Sequence, residues 1–273
     1  MIIPKIQKQR IIEYIKQGKR FDNRAFDKFR KIEIKTGISL NAEGSASVKI
    51  GKTEVYAGVK MDVMEPYSDG PSDGTLTVGF EMSPIASPDF DMGPPSIKAI
   101  EAGRVIDRGI RESGLIEFDK LCIKEGEKVW GIYLDIYALN DSGNLIDAAS
   151  LAALAALADA KIPVYDTKEG KVDRHQQLTD NRLPLNKESM SLNLTFHKID
   201  GKIILDPTRE EEEVSEYRIS IAFSSHKGKP RISSIQKGEE GAISFEEMEN
   251  ILNLLEVKFK EMYEEIQKQI FKK

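Results

Sequence analysis

Ser96-Ile97-Lys98-Ala99-Ile100-Glu101-Ala102-Gly103-Arg104-Val105-Ile106-Asp107-Arg108-Gly109-Ile110-Arg111-Glu112-Ser113 is the stretch on which the reading of this chain turns. Pro94 and Pro95 close an irregular segment, 83–95, and mark a helix start. At about 100° per residue, Arg104, Arg108 and Arg111 fall within one narrow arc of that helix. Ala99, Ile106 and Ile110 fall on the opposite face, which must pack on a sheet. The arginine face has two readings. It can be a solvated surface with intrahelical pairs, Arg104 with Glu101 and Arg108 with Glu112. It can equally be a rail for the phosphates of a nucleic-acid backbone.

The flanking sequence supplies the sheets. Upstream, a helix is expected over 5–16, stopped by Gly18. Strands follow over 31–35, 46–50 and 53–60, the last two joined at Gly51-Lys52, and over 75–82 after a Pro/Gly/Asp-rich loop. Downstream, strands over 121–123 and 129–138 lead through Asn140-Asp141-Ser142-Gly143 into a second helix, 145–160. Alanine and leucine surround that helix on every side, which predicts burial all round. A polar connector with hairpin character spans 166–183, followed by strands over 191–198, 202–205, 217–223 and 232–236. A long helix closes the chain from a Ser244 cap, with Met248, Ile251, Leu255, Phe259, Met262 and Ile266 at helical spacing. This order gives an α+β class, with mixed sheets packed with helices and a long C-terminal helix, rather than regular βαβ winding. We expect a single domain over 1–273: an N-terminal helical segment at about 5–17, a main core at about 20–162 and a second half at about 185–273.

Composition narrows the function. A net charge of -5 excludes a globally basic nucleic-acid binder, so any RNA contact must come from a local patch or an assembly. Cys122 is the lone cysteine, which leaves no disulfide framework or thiolate metal cluster. His175, His197 and His226 are scattered, which argues against a histidine metal site. Neither a signal-peptide pattern nor an apolar run of membrane-spanning length is expected, so the anticipated compartment is the cytoplasm, with no membrane partner and no cofactor.

Three further clusters carry possible chemistry. Asp141-Ser142-Gly143-Asn144-Leu145 stands at a strand-to-helix junction, where free N–H groups and the helix dipole can hold an anion. Here no Lys or Arg follows, and Asp147 is expected to repel phosphate. Asp206-Pro207-Thr208-Arg209-Glu210-Glu211-Glu212-Glu213 could offer oxygens to a divalent ion, but consecutive glutamates cannot all face one ion, and a solvated acidic loop is expected. Arg20-Phe21-Asp22-Asn23-Arg24 with Arg30 reads as a surface ion-pair cluster when taken alone.

Taken in order along nearly the whole chain, these segments resemble the RNase PH superfamily, in the form of the non-catalytic RNase-PH-like ring subunit of archaeal exosomes. Arg20-x-Asp22-x-Arg24 followed by Arg30 is similar to that family's Arg-x-Asp-Gly-Arg…Arg motif, with Asn23 in place of glycine. Glu43-Gly44-Ser45-Ala46-Ser47-Val48 resembles its Asp-Gly-Ser-Ala strand start. Met82-Ser83-Pro84, Gly93-Pro94-Pro95, Glu101…Arg104-Val105-Ile106-Asp107-Arg108…Arg111 and Val129-Trp130…Asp135…Tyr137 resemble this subunit type in particular.

The resemblance implies an RNase PH-like fold and a division of labour. Catalytic members carry Gly-Thr/Ser-Arg where this chain has Gly143-Asn144-Leu145, and that arginine helps bind the attacking phosphate. Phosphorolysis brings two anions together, so its transition state needs cationic and N–H ligands that Leu145 cannot supply. The family's aspartate before the strand Ile219-Ser220-Ile221-Ala222-Phe223 aligns with Arg218. Gly143, Asn144 and Leu145 are therefore expected to form a degenerate phosphate site, with no catalytic residue. By the same resemblance, Arg104, Arg108 and Arg111 are expected to contact single-stranded RNA. The expected partners are a catalytic RNase-PH-like subunit, alternating in a hexameric ring of three heterodimers, and cap proteins with RNA-binding domains. An independent phosphate-dependent 3′→5′ exoribonuclease and a stand-alone RNA-binding protein are the competing readings.

Overall fold

The computed structural model of the chain describes residues 4–166, 171–172, 178–226 and 229–271. Helix α1 (Lys5–Lys16) ends where Gly18 takes a φ of +74°. It leads into β1 (Ile32–Thr36), β2 (Gly44–Ile50) and β3 (Thr53–Met64), an antiparallel meander. β4 (Thr75–Met82) precedes α2 (Ile97–Arg111), whose Ser96 hydroxyl accepts from the Ala99 amide, the usual N-cap geometry. β5 (Cys122–Lys124) and β6 (Lys128–Asn140) then lead to α3 (Leu145–Asp159). The sheet order is β1-β2-β3-β6-β4, with β5 also on β6, and only the β4–β6 pairing is parallel.

The connector expected over 166–183 shows a short hairpin of β7 (Tyr165–Asp166) and β8 (Lys171–Val172); much of the remainder lies outside the described residues. A second sheet, ordered β10-β9-β11-β12, follows from β9 (Ser191–Ile199), β10 (Lys202–Leu205), β11 (Tyr217–His226) and β12 (Lys229–Gly238). A one-turn helix, α4 (Arg209–Glu212), interrupts it. α5 (Phe245–Ile270) closes the chain from a capping box of Ser244 and Glu247.

α3 explains how the sheets become one body. Its alanines and leucines contact β2 and β3 on one side and β9 on the other, and Ala148 through Leu157, apart from Ser150, are at most 4% exposed. Small side chains let the backbones approach: at Gly44 on β2, an added Cβ would collide with the Ala156 carbonyl.

Three expectations needed correction. β3 runs to Met64 rather than to residue 60, because β6 pairs with it along its whole length to Met64–Val129. The strand expected over 121–123 is β5, shifted by one residue to Cys122–Lys124 because Leu121 closes a 3₁₀ turn, Phe118–Leu121. The solvated acidic loop is α4, capped by Thr208 and Glu211, with Glu211 only 3% exposed.

Candidate functional site

α2 packs against β4 and β12. Its inner face buries Ala99, Ala102, Gly103, Val105, Ile106, Gly109 and Ile110, as the periodicity requires. Arg104 and Arg108 stand exposed on the outer face, and among the described residues neither makes a side-chain hydrogen bond or ion pair. They border an open groove against Ser234, Ile235 and Gln236 of β12. The intrahelical pairs anticipated for them do not form. Glu101 receives a hydrogen bond from Arg218 Nη2 at 2.5 Å instead, reaching across to β11.

Arg111 differs from its two neighbours. Its guanidinium donates to Asp107 at 2.7 and 3.2 Å and to the Leu76 carbonyl at 2.8 Å, and lies 5.9 Å from the Phe118 ring centre. Its partner within the helix is thus Asp107, one turn back. The hydrogen bond from Arg111 to Asp107 raises the guanidinium pKa further, despite the opposing effect of burial. Three arginines share one arc, but only two present unengaged charge.

The start of α3 is built from backbone in the left-handed region, with φ of +88° at Gly143 and +59° at Asn144. Glycine is required at the first of these. A Cβ on Gly143 would lie 2.5 Å from the Thr208 carbonyl carbon and 2.6 Å from the Arg209 amide nitrogen. The N–H groups of this turn are taken within the chain: Gly143 donates to Asp141 Oδ1 at 3.0 Å and Asn144 to Glu212 Oε1 at 2.7 Å. Leu145 is 8% exposed and belongs to the main apolar core. Asp147 is buried and accepts from Asn193 Nδ2 (2.8 Å), Thr195 N (3.0 Å) and Thr195 Oγ1 (2.7 Å), so it ties α3 to β9 rather than guarding the turn. Burial pushes its pKa up to about 6, outweighing those hydrogen bonds.

The N-terminal arginines turn inward. Arg20 is 1% exposed; its Nε donates to Glu211 Oε1 at 2.9 Å, while its other nitrogens reach the Leu205 and Asp206 carbonyls at 3.0 and 2.8 Å. Arg24 and Arg30 both engage the Asp206 carboxylate, at 2.8 Å from Arg24 Nη1 and at 2.8 and 2.7 Å from Arg30 Nε and Nη2. Arg30 also donates to the Ser142 and Gly143 carbonyls at 2.8 and 3.0 Å. Burial alone would raise the Asp206 pKa, but Arg30 and the Asn144 amide hold it below the usual carboxylate range. Two motifs read separately are thus one clasp, which holds the α4 loop against the turn before α3.

Sequence reasoning left Arg209 and Glu212 in a solvated acidic loop, whereas both belong to this region. Arg209 is shared among Asp89 (3.3 Å), Asp141 (3.3 Å), Glu213 (3.0 Å) and Glu212 (3.6 Å). Glu212 is pushed up to about 7 by burial and by the nearby Asp141 carboxylate, although 24% of its side chain remains exposed. A signal was available: Thr208-Arg209-Glu210-Glu211 has the spacing of a capping box, which marks a helix that orients its own acids.

These pieces surround a cleft of about 330 Å³ between α2, the start of α3 and the second sheet, with Leu145, Glu212, His197 and Arg218 in its walls. The anticipated positions therefore separate into two places. Asn144, Leu145 and Arg218 line the cleft, with Gly143 in the turn just before them, whereas Arg104 and Arg108 line the groove on the neighbouring face of α2. Among the described residues, no three His, Cys, Asp or Glu side chains converge to hold a metal ion, and no helix is long and apolar enough to cross a membrane.

Comparison with known proteins places this architecture. Residues 28–163 match the 3′ exoribonuclease family, domain 1, and residues 192–254 match its domain 2. The exosome complex component Rrp42 of Thermococcus onnurineus is 40% identical over 267 residues, covering 97% of this chain and 96% of that protein. Its counterpart in Methanothermobacter thermautotrophicus is 39% identical, covering 98% and 96%. Among solved structures, a chain of the Archaeoglobus fulgidus exosome with RNA bound to the active site aligns with a TM-score of 0.82 at 36% identity, covering 94% of this chain and 98% of that one. Rice Rrp46 shares the fold alone, with a TM-score of 0.66 at 16% identity. With both halves matched in order and relatives aligned end to end, this chain belongs to the RNase PH family of 3′ exoribonucleases.

Proposed function

We propose that this chain is a non-catalytic exosome subunit, acting in phosphorolytic 3′→5′ RNA degradation by supporting a catalytic RNase-PH-like partner and contributing RNA contacts. The observation that carries this reading is the start of α3. A phosphorolytic site needs cationic and N–H ligands for the attacking phosphate there. This chain instead has Leu145 in the apolar core, and two of the turn's N–H groups are committed to Asp141 and Glu212. Arg218, aligned with the family's aspartate, is neutralised by Glu101.

The proposed RNA contacts are Arg104 and Arg108, whose charge is unspent, with Arg111 as the weaker third because Asp107 already engages it. This arrangement suits a chain of net charge -5, since a local basic face is sufficient when a partner supplies the rest of the path. The proposed assembly is a hexameric ring of three heterodimers, with cap proteins carrying RNA-binding domains, in the cytoplasm. α3, buried between the two sheets, supports treating the whole chain as one structural domain in that ring.

Nucleoside-diphosphate release from single-stranded RNA in the presence of phosphate tests the reading. The purified chain is expected to release none, and the same chain co-assembled with a catalytic RNase-PH-like subunit is expected to support release. Robust turnover by the isolated chain would establish the independent-exoribonuclease alternative. Failure to enter a heterohexamer on size-exclusion chromatography would favour a stand-alone RNA-binding protein.

A further inference from the structure

The cleft at the start of α3 is acidic. Its walls carry the carboxyl groups of Glu101, Asp141, Glu212, Glu213 and Glu239. Against them stand the cations Lys98, Arg209 and Arg218. Arg218 is spent on Glu101, and the single Arg209 guanidinium is divided among Asp141, Glu212 and Glu213, with Asp89 beyond them. Unneutralised negative charge remains.

A second observation concerns hydrogen bonding. Asn144 and His197, 2% and 4% exposed, both belong to the cleft wall, and each keeps one buried polar atom without a partner: Asn144 Oδ1 and His197 Nε2. Both atoms are acceptors. For Asn144, Nδ2 is the group that donates to Asp206, which leaves Oδ1 as the free end. For His197, the Ser215 hydroxyl donates its one proton to the Tyr217 carbonyl at 2.7 Å. The contact of 3.0 Å between His197 Nδ1 and Ser215 Oγ must then be donated by the ring, so Nε2 carries a bare lone pair. Burial, with Arg218 nearby, depresses the imidazole pKa to about 3, which keeps Nε2 an acceptor at any ordinary pH.

We propose that this cleft binds an alkylammonium group, so that a place suited to phosphate in catalytic relatives takes a small organic cation here. The excess of carboxylates favours a cation, and the unpartnered acceptors of two wall residues favour a ligand with N–H donors. Glu212, raised to about 7 by burial first and by the Asp141 carboxylate second, is ionised at pH 8, where an ammonium would pair with it, and protonated at pH 5.5. A cavity of about 330 Å³ admits a short linear diamine. The ammonium can belong to a free amine or to a lysine side chain of a ring partner. The inference rests on the reading that the cleft has lost its phosphate role.

Calorimetric titration of the full chain with 1,4-diaminobutane at low salt tests it, with inorganic phosphate in a parallel titration. Saturable one-site binding of the diamine is expected, at least tenfold weaker at pH 5.5 than at pH 8, as protonation of Glu212 removes a carboxylate. Glu212→Gln and, independently, Glu239→Gln should each weaken it, while Glu265→Gln on α5, remote from the cleft, should leave it unchanged. Absence of saturable binding, or equal loss in Glu265→Gln, overturns the proposal. Phosphate binding accompanied by turnover of the isolated chain would instead sink the non-catalytic reading beneath it. Repeating the titration with the assembled ring separates the two sources. Retained binding indicates a free amine, and binding confined to the isolated chain indicates a partner's lysine in the cleft.

Discussion

Asp206 shows how much one side chain can hold. Its carboxylate is fully buried, accepts from Arg24, Arg30 and Asn144, and closes the α4 loop onto the turn before α3. Asp206→Asn keeps the volume but leaves Arg30 without its carboxylate partner, and Arg24 with Asp22 alone, in a largely enclosed setting. The expected loss is about 3 kcal/mol of folding stability, measurable by urea denaturation at pH 7. Because the folded-state pKa is depressed, the stabilisation from Asp206 is complete above the unfolded value near 3.8 and disappears as pH falls through the folded value. The difference between wild type and Asp206→Asn should therefore shrink in acid, and a constant difference down to pH 2 would show that shape rather than charge is at stake. Leu145→Arg gives a second, opposite kind of result. It restores the family's arginine in name only, since Glu212 still holds the Asn144 amide and Arg218 still faces Glu101. No phosphate-dependent nucleoside-diphosphate release is expected from that variant, and any clear release would refute the account of the cleft.

α2 divides its arginines by what lies beside each of them. Arg104→Ala with Arg108→Ala should weaken RNA binding by the assembled ring and lower the slope of log K against log salt by about 2, one for each phosphate contact. Arg111→Ala should change that slope far less and reduce thermal stability instead, since its guanidinium bridges Asp107 and the Leu76 carbonyl. Equal slope changes for all three would dissolve the distinction. The helix itself was legible in the sequence because its apolar spacing, its proline boundary and its Ser96 cap all agree. Its partners were not: that Glu101 chooses Arg218 on β11 over Arg104 one turn away depends on where the second sheet docks, which local spacing does not encode. The same limit explains Arg20, Arg24 and Arg30. Their charges suggested a surface cluster, and only the long-range approach of residues 205–211 makes them a buried clasp. α4 was hidden for another reason, since it is too short to show periodicity and its capping box lies inside a run of glutamates.

The two sheets meet along α3 and α2, and the seam between them collects groups whose protonation differs between folded and unfolded chains. Asp147 is raised to about 6 and Glu212 to about 7, both by burial first. Each folded carboxyl group keeps a proton that the unfolded chain releases near pH 4, so each loses stabilisation as pH rises through its window. His197 acts in the other direction. Its folded pKa of about 3 means that the unfolded chain binds a proton below 6.5 which the folded chain refuses, so stability from this residue rises with pH between 3 and 6.5. From pH 4.5 to 6 the folded state thus holds two extra protons and lacks one. The net of one proton predicts that stability falls with rising pH by about 1.4 kcal/mol per unit. Glu212→Gln removes one of the two retained protons and should flatten that slope to near zero. Urea midpoints for both proteins, taken at half-unit steps across this range, provide the check. Parallel slopes would mean that Glu212 ionises like a solvated glutamate. Glu212 would then be no part of a seam that traps protons in place of phosphate.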